Sequence, residues 1–263
     1  MKIGVFDSGV GGLTVLRALI QQLPSADYIY LGDTARLPYG SKSQATIARY
    51  AVSSARFLVE EGAEFLVIAC NTASALALDA IKEAVRVPVL GVIETGANAA
   101  QVSSMSGDVL VIATDATVQS HAYKRVCAEH GLRALEKACP LLVPLVEEGW
   151  IEHPVTQEVL RIYLTELQEQ AQEPGLKPDT LVLGCTHYPL LRAQIERTVP
   201  DLRVIDSAEV TASQVAAALT DYVHKGTSER RFYATDSVEK FRHLGARFLG
   251  EAIECVGLVD LGG

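Results

Sequence analysis

The 263-residue chain is 49% hydrophobic and 21% charged, a balance that predicts a folded globular protein and excludes a disordered one. Its 23 lysines and arginines against 32 aspartates and glutamates give a formal net charge of −9; because no basic cluster stands out, we expect no nucleic-acid partner. No apolar run approaches the roughly 18 residues that span a bilayer, and no signal-peptide pattern opens the chain, so we expect no membrane partner and a cytoplasmic location.

Short β-branched runs alternate with helix-length amphipathic segments, which is the pattern of βαβ units in a parallel sheet. The predicted strands cover residues 3–7, 28–32, 65–70, 87–93, 109–114, 141–146, 180–185 and 203–206. A helix over residues 210–224 and a further strand over 231–234 follow. The predicted class is α/β, with two largely parallel sheets and flanking helices.

The sequence contains an approximate internal repeat. Residues 65–72 align with residues 180–187, which places Cys70 opposite Cys185 at an offset of 185 − 70 = 115, and Glu94 maps onto Glu209 by the same offset. We therefore predict two similar domains related by a pseudo-twofold axis. Equivalent strand ends would form opposite walls of one cleft, where open α/β sheets bind ligands.

Cys70 and Cys185 each follow an apolar strand and precede a segment compatible with a helix. An isolated cysteine is most often a small buried apolar residue, but both of these thiols are followed by polar groups and occupy the same place in the repeat. Two opposed thiols can act as base and acid. If one removes a proton from carbon and the other delivers a proton to the opposite face, the configuration at that carbon is inverted.

Redox chemistry is the alternative for paired thiols, but the usual Cys-x-x-Cys spacing is absent. The five cysteines, at positions 70, 127, 139, 185 and 255, are an odd number without metal-ligand spacing. We therefore expect neither disulfides nor a metal site. Cys127, Cys139 and Cys255 lack a polar strand-end context and are interpreted as packing residues.

Residues 7–12, Asp-Ser-Gly-Val-Gly-Gly, follow the first strand and have the glycines of an anion-binding loop. A dinucleotide motif starting at Gly9 would need glycine at position 14, where Thr14 stands, and no Gly-Lys-Ser/Thr occurs. The other interpretation is a tight turn from which Asp7 and Ser8 project into the cleft. Both interpretations remain open at this point.

Three further candidates each have a plainer alternative. Residues 38–40, Pro-Tyr-Gly, have the composition of an ordinary turn. His187 lies close to Cys185, which makes it the best functional candidate among the six histidines. Glu147 follows a predicted strand and is interpreted, from the sequence alone, as a solvated acid.

At these motifs the sequence resembles the glutamate racemases of the cofactor-independent amino-acid racemase superfamily. The matching segments are residues 3–12, 37–40, 70–72, 143–147 and 184–190. The resemblance implies interconversion of L- and D-glutamate, which supplies D-glutamate for peptidoglycan. It also implies two α/β domains, residues 1–95 completed by 209–263, and residues 96–208.

The resemblance further implies that Cys70 and Cys185 are the acid/base groups, Cys70 for the D-enantiomer and Cys185 for the L-enantiomer, with Asp7 and His187 as polar assistants. The substrate-binding positions that it implies are Asp7, Ser8, Pro38, Tyr39, Gly40, Asn71, Thr72, Thr117, Glu147, Thr186 and His187. We expect no metal or other cofactor, because no lysine falls in a strand-end motif where it could hold pyridoxal phosphate. The expected partners are the two enantiomers of glutamate and a second copy of the chain in a homodimer.

Two alternatives stay open. An aspartate or hydantoin racemase of the same superfamily would share the mechanism; aspartate racemases typically carry Glu after the second Cys-Thr, where this chain has His187. A two-domain binding module that closes on a small acid without reacting is the other alternative, although such a module has no use for opposed thiols.

Overall fold

The computed structural model describes residues 1–219 and 228–262. The chain forms two compact units, one from residues 1–92 together with the chain from residue 208 onward, and the other from residues 93–207. Each unit contains one parallel sheet with helices packed on it, so the predicted α/β class is confirmed. The pseudo-twofold relation between the domains and the location of the active site in a cleft stay predictions.

The elements in chain order are β1 (Lys2–Asp7), α1 (Leu13–Gln22), β2 (Asp27–Gly32), α2 (Gln44–Glu60), β3 (Phe65–Ile68), α3 (Asn71–Ala84), β4 (Val89–Gly91), α4 (Val92–Ser103), β5 (Asp108–Ala113), α5 (Asp115–Gln119), α6 (Ala122–Glu129), β6 (Arg133–Ala138), α7 (Leu142–Glu147), α8 (Pro154–Gln172), β7 (Thr180–Gly184), α9 (Arg192–Thr198), β8 (Arg203–Asp206), α10 (Ser207–Ala218), β9 (Arg230–Ala234), α11 (Val238–Leu249) and β10 (Gly257–Leu258). Short 3-10 helices cover Thr34–Arg36, Tyr39–Ser41 and Tyr188–Leu191. The predicted helix over 210–224 corresponds to α10, and its last residues, from 220, lie outside the described residues.

The sheet of the first unit has the strand order β10-β9-β2-β1-β3-β4, with every neighbouring pair parallel. Its central strands are near-continuous apolar runs, as expected for strands that are buried on both faces. Phe6 and Leu31 belong to the core that packs against α2 and α3. On the opposite face of β2, the ring of Tyr30 lies 5.9 Å from that of Phe241 in α11.

Gly32, at the end of β2, allows the loop after β1 to lie directly against this strand. A Cβ atom at position 32 would lie 2.4 Å from the carbonyl oxygen of Gly9 and 2.8 Å from the ring of Phe241. Both distances are far shorter than a van der Waals contact, and one of the two atoms belongs to backbone. Glycine at position 32 is therefore needed for the close approach of loop and strand.

The sheet of the second unit has the order β6-β5-β7-β8, again with every pair parallel. This order matches β2-β1-β3-β4 of the first unit strand for strand. β6 begins 133 − 27 = 106 residues after β2, and β7 begins 180 − 65 = 115 residues after β3. The chain passes between the units after residues 92 and 207, which are also 207 − 92 = 115 residues apart. Both units thus share one topology, as the repeat predicts.

The strand predicted over residues 141–146 is wrong, because these residues lie mostly in α7. Pro144 is the third residue of that helix, where a backbone N–H would have no acceptor within the helix. Leu142 and Val146, four residues apart, form its buried face. Glu147 is accordingly the last residue of a helix rather than the residue after a strand.

The strand that pairs with β5 in place of the predicted one is β6, which sequence reasoning missed. Its centre reads Leu135-Glu136-Lys137, which is not an apolar run. β6 is an edge strand of its sheet, and edge strands tolerate charged residues. The short final strand β10 was missed as well, since two residues carry no periodic signal.

Other predicted strands differ from the observed ones at their ends. The strand predicted over 87–93 is confined to Val89–Gly91, because α4 begins at Val92. β3 ends at Ile68 and β7 at Gly184, so that Cys70 and Cys185 lie beyond their strands.

Over residues 1–219 and 228–262, no helix combines the length and apolar character needed to cross a membrane. In the same ranges no cluster of three or more His, Cys, Asp or Glu side chains is arranged to hold a metal ion.

Candidate active site

The carboxyl ends of β1, β2 and β3 lie side by side in the first sheet, because these strands are neighbours in the order β2-β1-β3. Three polar residues stand at these ends. Asp7 is the last residue of β1, Asp33 follows β2, and Cys70 lies two residues after β3. All three are buried, so the strand ends form a polar, water-poor surface.

The loop after β1 is held by two hydrogen bonds of the Gly9 backbone, one to Asp7 and one from Tyr30. Its Oδ2 accepts from the backbone N–H of Gly9 at 2.9 Å, and the Tyr30 hydroxyl donates to the carbonyl oxygen of Gly9 at 2.8 Å. A Cβ atom at Gly12 would lie 2.5 Å from the Cβ of Asp7. The glycines therefore let the loop turn tightly over Asp7 into α1, which favours the tight-turn interpretation.

Cys70 caps the N-terminus of α3. Its Sγ accepts from the backbone N–H of Ala73 at 3.5 Å and donates to Ser8 Oγ at 3.4 Å. Burial, followed by the negative charge of Asp7, raises the pKa of the Cys70 thiol to about 12 against the opposing hydrogen bonds of Ser8 and Ala73. Cys70 therefore keeps its proton at neutral pH.

Asn71 and Thr72 are the first two residues of α3, directly after Cys70, and both are buried. Together with Asp7, Ser8 and Cys70 they form one cluster of candidate site residues in the first unit.

The segment Pro38–Gly40 differs from the expectation of an ordinary exposed turn. Tyr39 is 2% exposed, and its hydroxyl donates to Asp33 Oδ2 at 2.6 Å. Pro38 is exposed and Gly40 is partly buried. The phenol of Tyr39 is thus engaged within the protein, and only its backbone N–H and that of Gly40 remain as groups through which this segment could bind a carboxylate.

In the second unit, Cys185, Thr186 and His187 follow β7 directly, and all are buried. Nε2 of His187 lies 3.2 Å from Glu147 Oε1, and Nδ1 lies 3.5 Å from Thr186 Oγ1. Burial alone would lower the pKa of His187, but its hydrogen bonds with Cys185 and Glu147 outweigh burial and raise that pKa to about 10. An imidazolium therefore stands beside Cys185 at neutral pH.

Glu147 is thus not the solvated acid that its sequence context suggested, because it forms an ion pair with His187 and its side chain is only 25% exposed. Thr117, in α5 just beyond β5, is fully buried, and its hydroxyl lies 2.9 Å from that of Thr114. β5 is the neighbour of β7, so the candidate residues of the second unit also stand at adjacent strand ends.

Two of the cysteines interpreted as packing residues differ from that description. Cys139 is buried but directly follows β6, so it does have a strand-end position; burial raises its pKa to about 12. Cys255 is exposed. Cys127 is buried in α6, as interpreted, and burial raises its pKa to about 11.

Sequence reasoning missed two buried residues that hold the site. Asp33 binds Tyr39, and the hydroxyl of Tyr188 shares its proton between the carbonyl oxygens of Ala113 and Cys139, at 3.2 and 3.0 Å. Tyr188 thereby ties the turn after Cys185 to the ends of β5 and β6. The signal for Asp33 was its place directly after an apolar strand, one residue beyond Gly32, which pairs with Asp7 at the end of β1.

Comparison with known proteins confirms the resemblance found in the sequence. The profile of the Asp/Glu/hydantoin racemase family matches residues 3–215. The glutamate racemase of Koribacter versatilis is 50% identical, covering 99% of this chain and 98% of the relative. The glutamate racemase of Francisella tularensis, solved in complex with D-glutamate, superposes with a TM-score of 0.89 at 36% identity, covering 99% of this chain and 97% of that one. The glutamate racemase of Thermus thermophilus superposes with a TM-score of 0.88 at 45% identity, covering 99% of this chain and 97% of that one.

Proposed function

The chain belongs to the Asp/Glu/hydantoin racemase family, and from this membership we propose that it is a glutamate racemase, an isomerase that interconverts L- and D-glutamate. The observation that carries the proposal is the similarity over nearly the full length to curated glutamate racemases, together with a buried thiol at equivalent strand ends of both units. The product, D-glutamate, would supply peptidoglycan synthesis in the cytoplasm.

The proposed reaction uses Cys185 as the base and Cys70 as the acid when L-glutamate is the substrate. The Cys185 thiolate removes the α-proton and becomes a thiol, which leaves a planar carbanion. The Cys70 thiol then donates its proton to the opposite face, which yields D-glutamate and a Cys70 thiolate. No bond other than those to hydrogen changes, and the two thiols exchange their protonation states. The reverse reaction starts from the Cys70 thiolate.

The electrostatics of the two thiols support this division. The imidazolium of His187, which Glu147 stabilises, is a counter-charge for a thiolate at Cys185. Burial and the nearby carboxylate of Asp7 raise the pKa of the Cys70 thiol, so it keeps its proton until substrate binds. The α-ammonium group of glutamate would then supply the positive charge that a thiolate at Cys70 requires.

The carboxylates of the substrate are proposed to bind mainly at hydroxyl, amide and backbone N–H groups. Hydroxyl and N–H groups hold carboxylates by hydrogen bonds. The positions proposed to line the substrate site as a whole are Asp7, Ser8, Pro38, Tyr39, Gly40, Asn71, Thr72, Thr117, Glu147, Thr186 and His187. Tyr39 would contribute its backbone N–H, because its hydroxyl is engaged with Asp33. The reaction as proposed needs no cofactor, and the functional form is proposed to be a homodimer.

The test is the time course of optical rotation with L-glutamate, D-glutamate and L-aspartate as separate substrates. We expect both enantiomers of glutamate to reach the racemic mixture and aspartate to remain unchanged, with the activity retained after addition of a chelator or a carbonyl reagent. Conversion of aspartate instead would identify an aspartate racemase. Binding of glutamate without any change in rotation would identify a binding module.

A further inference from the structure

The segment Pro38–Gly40, whose backbone is proposed to bind substrate, is hydrogen-bonded through the Tyr39 side chain to a buried carboxylate, that of Asp33. Asp33 is fully buried. Its Oδ2 accepts the Tyr39 hydroxyl at 2.6 Å, and its Oδ1 accepts the Thr235 hydroxyl at 2.9 Å. The backbone N–H of Asp33 donates to the carbonyl oxygen of Asp7 at 3.0 Å. Asp33 thus connects the segment to the end of β1 and to the residue that follows β9.

The ring of Tyr39 packs within the hydrophobic core of the first unit. It lies 6.2 Å from the ring of Phe6 and 6.2 Å from the ring of Tyr50. The guanidinium of Arg36 stacks on Tyr50 at 4.6 Å and lies 3.5 Å from Asp33 Oδ2. The ring fills an apolar pocket, and its hydroxyl end is fixed by a charge-assisted hydrogen bond.

We propose that Asp33 is a positioning residue for substrate binding: it fixes the Tyr39 side chain and, through it, the backbone N–H groups of Tyr39 and Gly40. The inference rests on the proposed function, since it assigns these N–H groups to a carboxylate of glutamate. Asp33 itself does not contact substrate, because its oxygens are occupied by Tyr39, Thr235 and Arg36. Loss of this anchor would weaken substrate binding and leave the thiols intact.

Tyr39→Phe removes the hydroxyl and nothing else, and Tyr28→Phe is its matched control. Tyr28 lies in the same unit, is 1% exposed, and its hydroxyl donates to the carbonyl oxygens of Leu19 and Leu23 at 2.9 and 2.8 Å. Both variants lose one buried tyrosine hydrogen bond, but only the first loses the anchor. We expect Tyr39→Phe to raise KM for both enantiomers about tenfold and to change kcat far less. Tyr28→Phe should lower the free energy of unfolding and leave KM unchanged.

Variants of the carboxylate test the same contact from its other side. Asp33→Asn should retain KM within about threefold, because the amide oxygen can accept from Tyr39 while the amide nitrogen donates to Thr235, whose hydroxyl can also accept. Asp33→Ala should raise KM at least as much as Tyr39→Phe. The double variant Asp33→Ala/Tyr39→Phe should be no worse than Asp33→Ala alone, since both changes break one contact. If Asp33→Ala does not fold, the KM values of Tyr39→Phe and Asp33→Asn still test whether Asp33 positions Tyr39 for substrate binding.

Calorimetric titration with racemic glutamate, whose composition turnover does not change, measures the same change as an apparent Kd. If the wild-type chain binds glutamate without racemising it, the proposed function is contradicted. If Tyr39→Phe then binds glutamate about tenfold more weakly, this inference is still supported. An active wild-type enzyme whose Tyr39→Phe variant retains the wild-type KM and Kd would overturn the inference and keep the proposed function.

Discussion

Replacement of Glu147 by Gln tests the ion pair that is proposed to keep a positive charge beside Cys185. The change removes the carboxylate that lies 3.2 Å from Nε2 of His187 and keeps the size of the side chain. A hydrogen bond between charged groups contributes about 1.5–3 kcal/mol, which corresponds to a pKa change of about one to two. Because the Glu147 side chain is 25% exposed, water screens the pair and the lower end of this range applies. The pKa of His187 should therefore fall from about 10 to about 9.

Proton NMR measures this pKa directly. The imidazole resonance of His187 is titrated in wild type and variant, and it is assigned by its loss in His187→Asn. Glu148→Gln is the matched control, since Glu148 is the exposed neighbour in sequence and carries the same charge. An unchanged pKa in Glu147→Gln, or an equal change in Glu148→Gln, would refute the reasoning.

The same pair predicts how stability depends on pH. The pKa of His187 is raised in the folded protein from its ordinary 6.5 to about 10, so the folded state holds the proton more tightly than the unfolded chain. The stabilisation is complete below pH 6.5 and is lost as the pH rises through about 10. The free energy of unfolding of wild type, measured relative to His187→Asn by urea denaturation, should decline over this interval. A constant difference would contradict the prediction.

Three further predictions concern the thiols and the framework of the two units. Cys70→Ala and Cys185→Ala should each lower kcat by about 10²- to 10⁴-fold, as loss of an acid/base group does; a loss below tenfold in either variant would remove that thiol from the mechanism. Asp108→Asn should lower the free energy of unfolding at neutral pH, because burial, the largest influence, is outweighed by the interactions with Arg133 and the backbone N–H of Lys177 together, which lower the pKa of this carboxyl; the difference from wild type in urea should shrink as the pH falls below the ordinary value of 3.8. Gly32→Ala should cost about 1–3 kcal/mol of stability by overpacking, since its Cβ would meet a backbone oxygen at 2.4 Å; an unchanged urea midpoint would show that the loop can move away.

The parallel strands of both sheets could be predicted from apolar runs because strands buried on both faces have no polar alternation to obscure them. β6 could not be found in this way, since its centre is charged. The repeat contained the missing signal: the offset of 106 residues that relates β2 to β6 is close to the offset of 115 that relates Cys70 to Cys185. α7 was mistaken for a strand because a short apolar run with proline fits the first turn of a helix as well as it fits a strand.

The candidate thiols could be predicted because each stands beyond an apolar strand, where side chains of open α/β sheets reach a ligand. The residues that set the charge and the geometry around these thiols could not be predicted from the sequence. The partner of His187 is Glu147, 40 residues earlier in the chain, and only the packing of α7 against the turn after β7 brings the two together. The partner of Tyr39 is Asp33, six residues earlier, and the chain between them must fold back through the 3-10 helix Thr34–Arg36 for the two to meet. Neither pair has a periodic pattern in the sequence that would indicate it.

The central claim is that two different thiols act on opposite faces of the α-carbon, and hydrogen exchange during turnover tests it most directly. The reaction is run in deuterium oxide from pure L-glutamate and stopped at low conversion, and both enantiomers are analysed by mass spectrometry. The two-thiol mechanism predicts D-glutamate that carries deuterium at the α-carbon and recovered L-glutamate that carries almost none, with the mirror result from D-glutamate. Substantial unlabelled D-glutamate at early times would show a single base that returns the original hydrogen, and would contradict the mechanism even in an active racemase.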